Sequence, residues 1–268
     1  MAVIGGAAGG HLPQITITNG MTWVPPMDGN VCIHLVGAGG GGVGSNTGSC
    51  GSGGAGGYCK KNSLAVTTAG SFTIVIGVGG KGSSSANDAS DGGNTTVAGT
   101  GLGSTLTANG GTGGNSGSAG LGGSAANGDV NNTGGAGVGA DSGGCGGSVG
   151  IFATGNHGYS RAISSYGPTG TYCDAAGGGL SMSGYGHIVG GTHGGMAPWG
   201  NTSMGEGARL DGDDLCGGGR AYTSAATYIF GGNGGIGGGG GIARYTTDAG
   251  YCWGGSGGDG IVLIQYLP

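Results

Sequence analysis

Charge is scarce in this sequence. Lys and Arg number 7 and Asp and Glu 12, so 7% of the 268 residues are charged and the formal net charge is −5. A surface this thin in cations releases few counterions from a polyphosphate, which argues against nucleic acid as a partner. Proline is equally sparse, at 6, although glycine reaches 81. Collagen needs an unbroken Gly-X-Y repeat with plentiful proline, so that architecture is excluded. No apolar stretch approaches the roughly 20 residues of a membrane span, and no membrane insertion is expected. The opening MAVIGGAAGGHLP has no positive n-region, and glycine interrupts its apolar residues, which makes a poor secretory signal.

Cysteine spacing is uninformative in a useful way. Cys32, Cys50, Cys59, Cys145, Cys173, Cys216 and Cys252 form no C-x-x-C pair, and their number is odd. That gives neither a zinc knuckle nor a disulfide framework, and the residues read as small buried apolar groups of a reducing compartment.

What is present argues for a folded chain. Ten Tyr, three Trp and three Phe accompany Ile- and Val-rich segments, whereas a disordered chain lacks both. Glycine in a helix interior costs about 1 kcal/mol relative to Ala, so an ordinary helical or doubly wound domain is excluded. Strand-like runs cluster at the two ends. Gln14–Thr18 alternates; Val31, Ile33 and Leu35 share a face; Ile74, Ile76 and Val78 share another. Leu64–Val66, Thr95–Val97 and Ser104–Thr107 are shorter, and Ile261–Tyr266 is nearly all apolar, as in a strand covered on both sides. The expected fold is all-β and irregular. A small β-sandwich takes strands from the N-terminal part plus the returning C-terminal strand, around an inserted bundle of polyglycine II helices with long loops. The expected divisions are an attachment segment over 1–25, sandwich strands with a short glycine run over 26–108, the bundle over 109–260, and the returning strand over 261–268.

The bundle is inferred from glycine phase. Glycine falls at 111, 114, 117, 120 and 123, again at 134, 137, 143 and 146, at 232, 235, 238 and 241, at 254, 257 and 260, and at 51, 54 and 57. Polyproline II geometry has about three residues per turn, so each phase marks one helix edge, and the run from 111 would extend roughly 37 Å. A lone helix of this kind bonds nothing internally. Glycine edges let neighbours approach until N–H of one meets C=O of the next, so the array is held by main-chain bonds in place of a side-chain core.

Between the runs lie segments of different character: 157–174, 181–201, 205–216, 220–230 and 242–253. They are rich in Tyr, Trp and Arg, the composition of loops that recognise a partner from a rigid support. Tyr159, Arg161, Tyr166, Tyr172, Tyr185, Trp199, Tyr222, Tyr228, Arg244, Tyr245 and Trp253 are the candidate receptor-binding residues. Tyr and Trp supply wide contact area at low rotamer cost, and the arginines suit phosphate or carboxylate groups on a partner.

These features resemble the distal tail-fibre adhesins of T-even-type phages and related glycine-rich phage tail proteins. The matching residues are the MAV start, HLVGAGGGG at 34–42, the block GGYCKKNSLAVTTAGSFTIVIGVGGKG at 56–82 and GGSGGDGIVLIQY at 254–266. The resemblance implies stacked polyglycine II helices whose loops bind a host outer-membrane protein or glycan. It also implies attachment to a fibre or other virion protein through the N-terminal region, and a place at the fibre tip after assembly in the host cytoplasm. The usual attachment domain is longer than the ~25 residues before Trp23, which leaves a structural role elsewhere in a virion open. An ice-binding polyglycine bundle is the other alternative, against which the long aromatic loops argue.

Chemistry is not expected. G-x-G-x-x-G arises by chance at this glycine content, and neither G-x-S-x-G, at 146–150 or 254–258, sits on a strand-turn-helix elbow. Asp211, Asp213 and Asp214 read as a solvated turn before a calcium loop. His157, His187 and His193 read as loop histidines before metal ligands. No cofactor or metal is expected.

Overall fold

The computed structural model describes residues 2–5, 13–45, 49–84, 89–139, 146–150, 153–155, 217–218, 221–223, 228–245 and 251–268. Among these residues all regular structure is β. One sheet contains β1 (Ala2–Gly5), β2 (Gln14–Ile17), β4 (Gly29–Val36), β6 (Tyr58–Val66), β11 (Val130–Asn132) and β16 (Ile261–Tyr266), in the order β1-β2-β16-β4-β6-β11. The second contains β3 (Met21–Trp23), β7 (Phe72–Val75), β8 (Thr95–Gly99), β9 (Leu106–Ala108) and β10 (Ala125–Ala126), in the order β10-β9-β8-β7-β3. All pairings in both sheets are antiparallel.

Period-two side chains close the two sheets over one core. Ile15, Ile17, Val31, Ile33, Leu35, Val262, Ile264 and Tyr266 meet Trp23, Phe72, Ile74, Val97 and Leu106. Trp23 and Phe72 pack with ring centroids 5.3 Å apart. The last strand is central, since β16 lies between β2 and β4, with Ile264 opposite Ile33. Its inward face is Val262, Ile264 and Tyr266. Ile261 and Leu263, expected inside, are half-exposed on the other face. Ile261 there packs beside Val36, Tyr58 and Val149. Val78, expected beside Ile74, is 72% exposed because the chain leaves β7 for a glycine run and period two ends with the strand.

The division at residue 25 is also corrected. Gln14–Ile17 and Met21–Trp23 pair inside the two sheets, so residues 14–23 are sandwich, not a separate attachment segment. β6 carries a bulge where Val31 pairs with Leu64 but Ile33 with Lys61. The extra residue switches its parity: Leu64 and Val66 face the core above it, and Cys59 below it, which turns Tyr58 to the outer side.

Beyond the sandwich the strands run on into a glycine lattice. Residues 37–44 (GAGGGGVG) show its logic. N–H groups of Gly37, Gly40 and Val43 donate to Gly57, Gly54 and Gly51. Those of Ala38 and Gly41 donate to Gly93 and Ser90, and those of Gly39 and Gly42 to Gly258 and Gly255. Carbonyls at 38 and 41 accept from Gly111 and Gly114, those at 39 and 42 from Gly80 and Ser83, and those at 40 and 43 from Gly240 and Ala243. Every third residue therefore faces the same neighbour, and six neighbouring runs surround this one. All eight residues are buried, as are 51–57.

An added Cβ at Gly40 would fall on Thr112 O, and at Gly53 on Gly40 O. Backbone sits where a side chain would be, which is why these positions are glycine. At the rim, where a neighbouring helix is missing, side-chain oxygens take its place. Asp91 Oδ1 accepts from Gly113 N (2.8 Å), Asn94 Oδ1 from Gly110 N (2.9 Å), Asp259 Oδ1 from Gly79 N (2.7 Å) and Thr112 Oγ1 from Leu121 N (2.7 Å).

A net lattice hydrogen bond stabilises by only about 0.5–1.5 kcal/mol, while ordering a residue's backbone costs about 1–2 kcal/mol. Burying a Val, Leu, Ile or Phe contributes about 1.5–3 kcal/mol. The side-chain core is thus the clamp that holds the ends of the glycine runs in register.

Two of the phased runs are not single helices. The phase from 111 to 123 is broken by a turn in which Asn115 N donates to Ser118 O (3.0 Å) and Ser118 N to Asn115 Oδ1 (3.1 Å). Gly117 has φ 90° there, and only Ser49 Cβ, at 3.7 Å, stands near its missing Cβ. Gly111 and Gly114 donate to Ala38 and Gly41 before the turn, and Gly120 and Gly123 to Ser52 and Ala55 after it. The run through 232–241 likewise doubles back at Gly237, φ 66°, so that Gly238 N donates to Gly235 O and Gly241 N to Gly232 O. The phases 51–57 and 254–260 are single edges, against residues 115–109 and 83–77 respectively. The lattice accordingly begins at residue 37, not 109, and its central helices come from the N-terminal part of the chain.

Candidate recognition surface

The lattice has two ends, one continuous with the sandwich and one distal to it. The flanks of segments 46–48, 85–88 and 140–145 lie at the distal end, as Gly44 N–Ser83 O, Ala89 N–Gly114 O and Ser52 N–Val138 O place them side by side. Segments 224–227 and 246–250 are flanked there by short parallel strands. These are β12 (Ala221–Thr223), β13 (Tyr228–Phe230), β14 (Ala243–Tyr245) and β15 (Tyr251–Trp253), with β5 (Gly44–Ser45) beside β14. Lattice neighbours leave with their register intact, which is why the pairing is parallel without a crossover helix. Val43, Cys50, Ala89 and Ile242 form a small buried cluster beneath.

β15 alternates strictly: Tyr251 is 64% exposed, Cys252 buried and Trp253 45% exposed. Phe230, opposite Trp253 on β13, is 36% exposed. Alternate residues on a strand lie about 6.6–6.8 Å apart and adjacent strands about 4.8 Å, so these rings project as a compact group from a fixed backbone. Tyr228 is in register with Tyr251, Tyr222 with Arg244, and Thr223 with Tyr245. Arg244 is half-buried, with Ser45 as its partner in register on the other side. Burial pushes the Cys50 thiol up, opposed in part by the nearby Arg244 charge, so this cysteine is a protonated core group.

Of the candidate residues, Tyr222, Tyr228, Arg244, Tyr245 and Trp253 are brought to this end. Tyr159, Arg161, Tyr166, Tyr172, Tyr185 and Trp199 lie outside the described residues, as do Asp211, Asp213, Asp214, His157, His187 and His193. Phe230 and Tyr251 join the group without being among the candidates, although they sit in the same aromatic segments. For Tyr251 the local signal is its place two residues before Trp253, since alternate residues of a strand share a face.

A second polar group sits on the outer face of the sandwich. His34 Nδ1 and Tyr58 Oη are 2.6 Å apart, and Cys32 Sγ is 3.3 Å from His34 Nε2. Burial lowers the His34 pKa, helped by the Lys60 charge, and burial raises Tyr58 to about 12. Burial likewise pushes the Cys32 thiol up, so all three are neutral near pH 7. The described residues contain no group of His, Cys, Asp and Glu placed to hold a metal ion.

A glycine-rich domain model matches residues 15–267. The chain belongs to that glycine-rich domain family. No curated protein matches it. In this glycine-rich domain the matched segment begins on β2 and ends just past β16, two strands paired through Ile15 and Ile264. The family match thus spans the sandwich together with the lattice between its strands.

Proposed function

We propose that this glycine-rich domain is the receptor-binding adhesin at the tip of a phage tail fibre. The sandwich end faces the fibre or another virion protein, and the distal aromatic end binds an outer-membrane protein or glycan of the host. The observation that carries the reading is the exposure of Tyr251, Trp253 and Phe230 together, at the end of the lattice away from the paired N- and C-terminal strands. Exposed rings scattered singly are ordinary, whereas several grouped together mark a contact surface. Their hydroxyl and indole N–H groups suit a polar receptor. No catalytic step is assigned to the domain, and its work is binding.

The test replaces Tyr251 and Trp253 by Ala together and measures adsorption of particles carrying the protein to host cells alongside the melting temperature. Adsorption should fall by an order of magnitude or more, as about 2 kcal/mol or above is typical of aromatic anchors, with melting nearly unchanged. Unchanged adsorption by a folded variant would move the protein to a structural place in the virion.

A further inference from the structure

The sequence contains four Asn-Gly dipeptides, at 19–20, 109–110, 127–128 and 233–234. In such a pair the glycine amide nitrogen can attack the Asn side-chain carbonyl carbon, because no Cβ on the following residue obstructs the approach. The fold treats the four differently. Gly110 N donates to Asn94 Oδ1 (2.9 Å) while Asn109 Nδ2 donates to Ser124 Oγ (2.8 Å). Gly128 N donates to Asn131 Oδ1 (3.0 Å) while Asn127 Nδ2 donates to Thr105 O (2.8 Å). Gly234 N donates to Ser256 O (2.9 Å) while Asn233 Oδ1 accepts from Ser256 N (2.9 Å). In each of these pairs the nucleophile and the electrophile are both held by other partners.

Asn19-Gly20 is different. Both residues are exposed in the connector between β2 and β3, and Gly20 N donates to no group among the described residues. Among the described residues the only bond of the Asn19 amide is to the adjacent Thr18 Oγ1, at 3.5 Å, the outer limit of such a contact.

We propose that Asn19 is the site at which the folded protein deamidates. Gly20 N loses its proton to solvent base and forms a bond to Asn19 Cγ. The Cγ–Nδ2 bond breaks, and ammonia leaves after taking a proton from solvent. Water then opens the resulting succinimide at either carbonyl, leaving aspartate or isoaspartate. The product adds a carboxylate to a chain with net charge −5. In the isoaspartate form it also adds a methylene to the main chain between Ile17 of one sheet and Trp23 of the other, both buried in the core.

The experiment incubates the full-length protein in mildly alkaline buffer, folded and in denaturant, and maps acid conversion by peptide mass spectrometry. In the folded protein Asn19 should convert roughly fivefold or more faster than Asn109, Asn127 and Asn233, the kinetic counterpart of about one net hydrogen bond at each protected site. In denaturant the four rates should converge. Gly20→Ala should suppress conversion at Asn19; its Cβ would lie 3.3 Å from Ile74 O, close enough to need only a small adjustment. Asn94→Ala, which removes the acceptor on Gly110 N, should bring Asn109 towards the fast class, and Asn131→Ala should do the same for Asn127. Equal rates in the folded protein, a difference that persists in denaturant, or slow Asn109 and Asn127 in those two variants would each overturn the assignment.

Discussion

Ile264, near the end of the sequence, lies directly opposite Ile33 across the β16–β4 ladder, and both side chains are fully buried. Everything between them in the chain, including the lattice, is enclosed by that one contact. Deleting residues 261–268 should therefore abolish cooperative folding of the entire domain, since it removes the strand between β2 and β4 and opens the core. Ile264→Ala alone should cost about 2–5 kcal/mol, the range for a large aliphatic residue cut to Ala in a packed core. Leu263→Ala, on the half-exposed face, should cost much less. Thermal or urea unfolding followed by circular dichroism measures all three, and equal losses at 263 and 264 would show the parity to be wrong.

Glycines in the lattice should be far less replaceable than glycines elsewhere. Gly40→Ala places a Cβ on Thr112 O, in a run enclosed by six neighbours, whereas nothing lies within 4 Å of the position a Cβ would take at Gly103. Gly40→Ala should lower stability by several kcal/mol or prevent folding, because rigid backbone has to move. Gly103→Ala should be neutral or stabilise by about 0.4–1 kcal/mol through the unfolded state. Paired melts of the two variants decide the matter.

Gly117 is a different kind of glycine from Gly114. At Gly114 a Cβ would collide with Gly51 O, while at Gly117 space is open but φ is 90°. Gly117→Ala should cost about 1–2 kcal/mol from backbone strain alone. Gly117→Asn should cost less, as Asn tolerates positive φ better. Ser118→Ala, which keeps the main-chain bond from Asn115 N, should be nearly silent. A Gly117→Asn variant as damaged as Gly114→Ala would restore the packing-edge explanation at this position.

His34 gives the domain a pH dependence with a defined sign. Its folded pKa is lowered from 6.5, first by burial and second by the Lys60 charge. The unfolded chain therefore binds the proton first as pH falls, and stability is lost from near the unfolded value of 6.5 downward until the folded group also protonates. The stability present above that window should be insensitive to His34 titration. His34→Gln should flatten the curve between neutral and mildly acidic pH, measured by urea unfolding at a series of pH values. A wild-type curve that rises on acidification through this range would contradict the sign.

Much of this molecule is legible in the order of its residues. Alternation at Val31, Ile33 and Leu35 and at Ile15 and Ile17 identifies core faces, since period two is a local property of an extended chain. The returning strand follows from the apolar run at 261–266, and the existence of a main-chain-bonded lattice from glycine at every third residue.

What the phase alone does not contain is which neighbour each edge meets, because all three edges of a polyglycine helix present the same N–H and C=O groups. The two long phases accordingly look like single helices until Gly117 and Gly237 are seen to reverse the chain, and a glycine suits a reversal as well as an edge. The parity of β6 depends on a bulge set by pairing to β4, across more than twenty residues. Exposure at the distal end is equally non-local: Tyr251, Trp253 and Phe230 stand out because Cys252 is drawn into the end of the lattice between them. Local pattern determined that strands, glycine edges and aromatic segments exist. Long-range main-chain bonding, clamped by one small side-chain core, decided how they are joined and which rings face the solvent.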